Sequence, residues 1–283
     1  LITLEVKNIP IMKLFRRTKS EQPNLDLYYR RNDMYEKLRN YIEESNNIVF
    51  FGGAGVSTES GIPDFRSKDG LYNQHDVRFE NYEREYLLSK ECLYNNPKVF
   101  YEFYRQKMDV RDIQPNITHR VLAALEKAGK VKAIVTQNVD GLHQKAGSKN
   151  VFEIHGTTQK NYCSKCNMEY HPDFLFDTKS KIPKCECRGL IRPDITLYGE
   201  NLPEKAVIGA TNAISKADML IVAGTSLQVY PAANLISYFE GKHLVVINEE
   251  KVDVLIDEDT DLLIIDSLGN VFNKMSKWGC TNV

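Results

Sequence analysis

Short apolar runs alternate with amphipathic segments along most of the chain. Ile48–Phe51 is entirely apolar and ends at Gly52 and Gly53, and similar runs recur downstream. The later runs are Ala133–Val135, Met219–Ala223, Leu244–Ile247 and Leu262–Ile265. Runs of about four or five apolar residues bounded by turn residues are typical of strands buried on both faces of a parallel sheet.

Segments with helical spacing lie between several of these runs. Ile117–Ala128 places Val121, Leu122 and Leu125 on one face, and Gly129 follows as a stop signal. The other such segments are Glu204–Lys216 and Ala232–Phe239. This alternation of strand and helix predicts βαβ units, and therefore an α/β fold with a doubly wound parallel sheet.

The first 32 residues show no sustained hydrophobic period. We predict that the first helix begins at Asp33, because Asp33 and Glu36 have capping-box spacing and Leu38 and Ile42 then share one face. Residues 1–32 are therefore expected to form a loosely ordered N-terminal extension. Translation from Met12 or Met34 would shorten it.

Two stretches interrupt the alternation. Leu71–Asp112 is rich in Tyr and charge and has helical character, and Tyr162–Arg192 contains four of the six cysteines. Both exceed by far an ordinary connection of about 4–6 residues, so we expect insertions that build a smaller second domain. The expected boundaries are 33–70, 113–156 and 193–283 for the main domain, 71–112 for the helical insertion and 157–192 for the cysteine-bearing insertion.

Composition narrows the class of protein. The 37 basic and 38 acidic residues give a net charge of −1, which lacks the basic excess of a dedicated nucleic-acid binder. No apolar run approaches the roughly 20 residues of a membrane span, and the N-terminus has no signal-peptide pattern. Six cysteines among 283 residues are too few for a disulfide scaffold. We therefore expect a soluble cytoplasmic enzyme with no membrane partner and no specific nucleic-acid partner.

A glycine-rich stretch, Gly52–Gly55, directly follows the first strand. Glycines at this place let the backbone approach a pyrophosphate, but the third glycine of the dinucleotide pattern is replaced by Thr58. The stretch alone therefore leaves phosphate binding and a tight structural turn equally open. In the next loop Asp64 and Arg66 flank Phe65, which suits either a lid over a nucleotide or a solvated ion pair.

Polar residues follow the second strand, where ligands of open α/β sheets bind. Gln137, Asn138 and Asp140 suit hydrogen bonding to a sugar or an amide, although Asn138 and Asp140 are also good helix caps. His155 ends a short apolar strand and precedes Gly156. A neutral imidazole there is a candidate general base, and a structural hydrogen-bonding role is the alternative.

The cysteines form two closely spaced pairs. Cys163-x-x-Cys166 is followed, after 18 intervening residues, by Cys185-x-Cys187. This spacing is typical of a closed, structural four-cysteine zinc site and is favoured over free or redox-active thiols. The second pair is one residue shorter than usual, which makes His171 a conceivable substitute ligand.

Taken together, the motifs resemble those of the sirtuin family, and its undivided bacterial-like members most of all. They occur in the family's order and cover Asp33 to about Lys277. They are GAGVSTESGIPDFRS, TQNVDGLHQKAG, His155-Gly156, the paired cysteines, RPDITLYGE, GTSLQVYP and VVIN. The resemblance implies an NAD-dependent protein-lysine deacylase, with a Rossmann-like domain and a smaller zinc-binding domain. NAD and an acylated-lysine protein or peptide would bind in the cleft between them.

The resemblance also implies roles for individual residues. The NAD phosphates would be lined by Gly53, Ala54 and Gly55, and the mobile cofactor loop would contain Asp64, Phe65 and Arg66. The nicotinamide ribose would be surrounded by Gln137, Asn138 and Asp140, with His155 as general base and Asn138 and Asp140 completing the catalytic set. The adenosine end would be held by Gly224, Thr225, Ser226 and Asn248. The bound peptide would be flanked by Ile195 and Tyr198–Glu200.

Three departures from the family pattern bear on these roles. Gly52 stands where the family commonly has Thr, and Cys185-x-Cys187 is shortened. No clear counterpart exists for the Tyr and Arg pair that reads acidic acyl groups, so acetyl and other uncharged acyl groups are expected as substrates. Two alternative functions stay open, a protein mono-ADP-ribosyltransferase using the same NAD site and a non-enzymatic NAD-responsive binding module.

Overall fold

The computed structural model describes residues 25–64, 70, 76–252, 256–257 and 259–279, with side chains from residue 33 onward. Met12, Phe65 and Arg66 lie outside the described residues. The helices are α1 Leu25–Glu44, α2 Lys90–Asn95, α3 Pro97–Lys107, α4 Ile117–Lys127, α5 Leu142–Lys145, α6 Phe174–Asp177, α7 Glu204–Lys216 and α8 Leu268–Met275. The strands are β1 Ile48–Gly52, β2 Val131–Thr136, β3 Val151–Glu153, β4 Gly156–Cys163, β5 Glu169–Tyr170, β6 Ile191–Ile195, β7 Met219–Ala223, β8 His243–Asn248 and β9 Leu262–Ile265.

Six of the strands form one parallel sheet in the order β3-β2-β1-β7-β8-β9. Every neighbouring pair in it is parallel. The winding direction reverses between β1 and β7, which opens a crevice beyond their carboxyl ends. The predicted doubly wound parallel sheet is confirmed, and the five apolar runs all lie in its strands.

Apolar layers cover both faces of this sheet. Successive strand residues point to opposite sides, so Phe50 packs under α1, α4 and α8 while Val49 and Phe51 pack under α7. The segment Ala232–Tyr238 also lies on the α7 side. It is a 3₁₀-helix and not the predicted α-helix. Its defining backbone bonds span three residues and not four, such as Asn234 N–H to the Pro231 carbonyl at 3.1 Å.

The first helix differs from the prediction at its start. It begins at Leu25 and not at Asp33, so eight residues assigned to the loosely ordered extension are helical. The capping-box spacing of Asp33 and Glu36 is therefore coincidental and lies inside the helix. The predicted apolar face is correct, because Leu38 and Ile42 are fully buried against the sheet.

A second, antiparallel sheet has the order β5-β4-β6. Its apolar cluster joins α2 and α3, from the first inserted stretch, to Cys163, Leu175 and Ile191 from the second. Polar contacts join the same two stretches, since Arg105 Nε donates to the Leu175 carbonyl at 2.6 Å. Within the described part of the chain, no helix has the length and apolar character needed to cross a membrane.

Candidate active site

The loop after β1, here called the glycine loop, spans Gly53–Gly61. Gly53 N–H donates to the Ala223 carbonyl at 3.2 Å, and Gly55 N–H donates to the Gly224 carbonyl at 2.8 Å. A Cβ on Gly55 would lie 2.8 Å from the Gly224 Cα, so only glycine permits this backbone approach. The loop therefore lies at the reversal point between β1 and β7, where open α/β sheets bind ligands.

The residues after β2 continue the same edge. Gln137 N–H donates to the Gly52 carbonyl at 2.9 Å, and its side-chain amide donates to Thr225 Oγ1 at 3.0 Å. Gln137, which follows β2, and Thr225, which follows β7, are both predicted site residues, and this bond brings them into direct contact.

Ser57 connects the two predicted catalytic residues that follow β2. Asn138 Nδ2 donates to Ser57 Oγ at 3.0 Å, and Ser57 Oγ donates to Asp140 Oδ2 at 2.7 Å. The other carboxylate oxygen, Asp140 Oδ1, accepts from Leu142 N–H at 2.9 Å. Burial raises the pKa of Asp140, while these hydrogen bonds act in the opposite direction. The result is a rigid polar chain in a buried setting.

Ser57 is not among the site residues predicted from the sequence. It is 1% exposed and lies 83 positions before Asp140, so no local spacing connects the two. The sequence feature that could have pointed to Ser57 is its place in GAGVS, close after the glycines that follow β1.

His155 lies on the loop between β3 and β4. Its Nδ1 is 2.9 Å from the Gln137 carbonyl, and because a carbonyl only accepts, Nδ1 carries the hydrogen. In the neutral ring Nε2 is then the basic nitrogen. Burial lowers the pKa of His155, and the bond to Gln137 opposes that shift. A neutral imidazole with a fixed tautomer is suited to accept a proton.

Gly156 fixes the backbone beside this histidine. Its φ is +76°, and a Cβ there would overlap the Asp194 carbonyl of the facing strand β6. The His155 carbonyl in turn accepts from Thr196 N–H at 2.8 Å. The main sheet and the small sheet are therefore joined next to the candidate base.

The other predicted residues lie at the same edge or beside it. Gly224 follows β7 with a φ of +59°, Thr225 is 8% exposed, and Ser226 is exposed. Asn248 ends β8, and its Nδ2 donates to the Glu250 carbonyl at 3.1 Å. Ala54 opens the first turn of the glycine loop, and Asp64 is the last described residue before the gap at 65–69.

The four paired cysteines converge in the small sheet region. Their sulfurs all lie within 4.8 Å of one another, with Cys163 and Cys187 at 3.4 Å and Cys166 and Cys185 at 3.6 Å. A tetrahedral zinc with bonds of about 2.3 Å would space its sulfurs by about 3.8 Å. The set is compatible with a zinc site, the shortened second pair included. The exposed His171 is outside this cluster and lies 3.3 Å from Asp173.

These observations define an α/β protein with a candidate ligand crevice at the β1–β7 reversal and a cysteine cluster beside a smaller antiparallel sheet. The model of the Sir2 family matches residues 53–231. A protein named NAD-dependent protein deacetylase, from Clostridium perfringens, is 51% identical over 246 residues, covering 86% of this chain and 98% of that protein.

Solved structures agree with this match. A Sir2 structure named for a deacetylated p53 peptide and 3′-O-acetyl-ADP-ribose has a TM-score of 0.78 and 34% identity, covering 87% of this chain and 98% of that one. A structure named as Sir2Tm bound to a propionylated peptide has a TM-score of 0.73 and 34% identity, covering 86% and 97%. The chain belongs to the Sir2 family, and the sirtuin resemblance found in its sequence is confirmed.

Proposed function

We propose that this chain is an NAD-dependent protein-lysine deacetylase. The observation that carries the proposal is the meeting of Asn138, Ser57, Asp140 and His155 at one edge of the sheet, beside the glycine loop. The names of the relatives, NAD-dependent protein deacetylase among them, support the same activity. Bound NAD would supply the ribose carbon that accepts the acyl oxygen as nicotinamide departs, and the acyl group would finish on ADP-ribose.

His155 acts as general base in this proposal. The Gln137 carbonyl holds its Nδ1–H, so Nε2 is the atom that accepts a proton from a ribose hydroxyl. The lowered pKa supports this role, because the ring is neutral at physiological pH. Removing that proton would let the hydroxyl oxygen attack the acyl carbon itself, so that the bond from the acyl carbon to the lysine nitrogen breaks and the acyl group passes to ADP-ribose.

Asn138 and Asp140 would orient the ribose, and Asn138 would also hold a water molecule near it. Their fixed positions suit a reaction with developing positive charge at the ribose, which depends on preorganised dipoles more than on a strong nucleophile. The Ser57 hydroxyl sets both side chains at once, since it accepts from Asn138 and donates to Asp140.

The remaining NAD contacts follow the edge of the sheet. We assign the phosphates to Gly53, Ala54 and Gly55, and the nicotinamide ribose to Gln137 together with the catalytic set. The adenosine end is assigned to Gly224, Thr225, Ser226 and Asn248, and the cofactor loop to Asp64, Phe65 and Arg66. The backbone approach of Gly55 to Gly224 supports the phosphate and adenosine assignments, because it brings the β1 and β7 loops together.

An acylated-lysine peptide is the proposed second substrate, flanked by Ile195 and Tyr198–Glu200. The Tyr198 N–H donates to the Leu88 carbonyl at 3.0 Å and its carbonyl accepts from Lys90 N–H at 2.9 Å, which holds Tyr198 beside Ser89 as an isolated parallel bridge. Its side chain is 39% exposed. We propose acetyl and other uncharged acyl groups, in keeping with the propionylated peptide named for one relative.

Zinc is the proposed structural metal, held by Cys163, Cys166, Cys185 and Cys187. Four thiolates would complete its tetrahedral shell, so this metal would stabilise the fold and take no part in the reaction. Such thiols persist in a reducing compartment, which supports our expectation of a cytoplasmic protein. We expect neither a membrane partner nor a specific nucleic-acid partner.

We also propose a two-domain division. Residues 33–70, 113–156 and 193–283 would form the NAD-binding domain, and residues 71–112 and 157–192 the small zinc-binding domain. The apolar cluster shared by the two inserted stretches supports this division.

The experiment that tests the proposed function is nicotinamide release, followed by chromatography with NAD and an acetyl-lysine peptide. We expect release only when both substrates are present. Release without the peptide, accompanied by a protein mass gain of one ADP-ribose, would favour the transferase instead. NAD binding without release under any condition would favour the non-enzymatic binding module.

A further inference from the structure

The glycine loop is built from short turns. Ala54–Val56 and Thr58–Ser60 are two successive 3₁₀ turns, closed by bonds such as Ser57 N–H to the Ala54 carbonyl at 3.0 Å. Hydrogen-bond geometry in 3₁₀ turns is poorer than in α-helices. Contacts from outside the loop therefore add to these turns in setting the position of Ser57, and through Ser57 the positions of Asn138 and Asp140.

Asn116 holds the loop from one side. It is the N-cap of α4, where its Oδ1 accepts from Thr118 N–H at 2.9 Å. The same side chain uses its Nδ2 to donate to the Val56 carbonyl at 2.8 Å, immediately before Ser57. One amide thus caps a core helix with its oxygen and fixes the glycine loop with its nitrogen.

Glu59 holds the loop from another side. Its Oε1 accepts from Gly269 N–H at 2.8 Å, in the first turn of α8. A carboxylate is favoured there, because free N–H groups and the helix dipole both attract negative charge. A Cβ on Gly269 would overlap the Glu59 carboxylate, so the missing side chain makes room for this contact.

The two helices that hold the loop form one body. α4 and α8 pack against each other on the same face of the main sheet, where Val121, Leu122, Val271 and Phe272 share one apolar cluster. Contacts from α4 and α8 therefore attach the glycine loop to a packed part of the core that lies outside the crevice.

We propose that Asn116 and Glu59 are positioning residues that clamp the glycine loop between α4 and α8 and so hold Ser57 in register with Asn138 and Asp140. This inference rests on the proposed function for its effect on catalysis. In the proposed reaction neither Asn116 nor Glu59 touches the reacting atoms, and both act through the glycine loop.

Asn116→Asp separates the two tasks of Asn116. Asp is as good an N-cap as Asn, so the stability of α4 is retained. The variant has no donor for the Val56 carbonyl and sets a carboxylate against it. We expect KM for NAD to rise about two- to tenfold, the range of one lost hydrogen bond, while the circular dichroism spectrum stays that of the unmodified chain.

Gly269→Ala tests the other contact. Ala favours helix over Gly, so the variant is not expected to weaken α8. The added Cβ displaces the flexible Glu59 carboxylate, and we expect a rise in KM for NAD of the same size. Asn273→Ala, at an exposed position of the same helix, is the matched control and should leave KM unchanged.

Amide hydrogen exchange of residues 54–61 gives a readout that does not depend on activity. We expect faster exchange in Asn116→Asp and Gly269→Ala, and no change in Asn273→Ala. Unchanged exchange in both clamp variants overturns the inference, as does wild-type KM for NAD in both. Absence of NAD turnover by the unmodified chain would instead contradict the proposed function, and the exchange result would still decide the clamp.

Discussion

At the scale of single residues, the state of His155 determines what the crevice can do. Its Nδ1–H is held by the Gln137 carbonyl, which leaves Nε2 as the basic atom. Burial lowers its pKa, so the ring stays neutral at a pH where an exposed histidine would already be protonated.

The pH dependence of the reaction should follow from this shift. Because only the neutral ring accepts a proton, activity is lost when the pH falls through the pKa of His155. We expect the acid limb of kcat/KM to lie below about 6.5, the ordinary histidine value. Rates with an acetyl-lysine peptide between pH 5 and 8 would measure it, and an acid limb above pH 7 would contradict the assignment.

Replacing the ring tests the base directly. His155→Ala should reduce deacetylation by about 10²- to 10⁴-fold, the usual contribution of a general base. The circular dichroism spectrum should match that of the unmodified chain. Full activity in this variant would remove His155 from the mechanism.

Glu153 supplies a residue-scale prediction about stability. Burial is the largest cause that raises its pKa to about 7, and one of its carboxylate oxygens is buried without a hydrogen-bond partner. The pKa of the Glu153 carboxyl is higher in the folded chain than in the unfolded chain. The charged form therefore destabilises the folded chain, and this cost is largest above pH 7.

Glu153→Gln should therefore stabilise the chain at pH 8, by on the order of 1–3 kcal/mol, and this gain should shrink as the pH falls towards 5. Urea unfolding at the two pH values would measure it. Glu240→Gln, at an exposed surface position, is the matched control and should show no such trend. An equal effect at both pH values would show that the charge of Glu153 is not the cause.

The sequence located most of the candidate site but not its connections. Gln137, Asn138, Asp140 and His155 stand at strand ends, where a period-based analysis places ligand-binding side chains. The bonds through Ser57, the bond from Asn116 to the glycine loop and the bond from Glu59 of that loop to α8 join residues 60 to 210 positions apart. A local sequence pattern relates residues that are close along the chain. It therefore cannot predict these long-range hydrogen bonds, which only the folded structure shows.

At the scale of secondary-structure elements, the cysteine cluster is set by the turns that flank β4 and β6. Cys163 ends β4, and Cys185 N–H donates to the Gly189 carbonyl at 2.9 Å in the tight turn that carries the second pair. This turn lets the shortened Cys185-x-Cys187 spacing keep both sulfurs in the cluster.

Cys163→Ser should remove bound zinc and destabilise the small sheet, because Cys163 is fully buried in its apolar cluster. The purified chain should contain one zinc per molecule by elemental analysis, and the variant close to none. Cys92→Ser changes another buried cysteine, one that lies outside the cysteine cluster, and this variant should keep one zinc per molecule. Absence of zinc in the unmodified chain would refute the site.

The elements themselves were predicted unevenly. The strands of the main sheet were found because a buried parallel strand is continuously apolar, and Met219–Ala223 and Leu262–Ile265 match the structure at both ends. The small antiparallel sheet was not predicted. Ala232–Tyr238 was mistaken for α-helix, since its apolar spacing does not distinguish a 3₁₀-helix from an α-helix. The start of α1 was misplaced because Asp33 offers capping spacing inside a helix.

At the scale of the whole molecule, strand order was the feature that the sequence could not supply. Alternating strands and helices predict a doubly wound sheet, but only the structure shows that the reversal lies between β1 and β7. That reversal brings Gly55 against Gly224. The small sheet is connected to the same edge by the hydrogen bond from Thr196 N–H to the His155 carbonyl. The proposed crevice thus depends on pairings between distant parts of the chain.

The central claim is that the chain transfers an acyl group from lysine to ADP-ribose. Mass spectrometry of a reaction with NAD and an acetyl-lysine peptide tests it most directly. We predict nicotinamide, deacetylated peptide and O-acetyl-ADP-ribose in equal amounts. Free acetate without O-acetyl-ADP-ribose, or NAD consumption with an unchanged peptide, would contradict the proposed reaction.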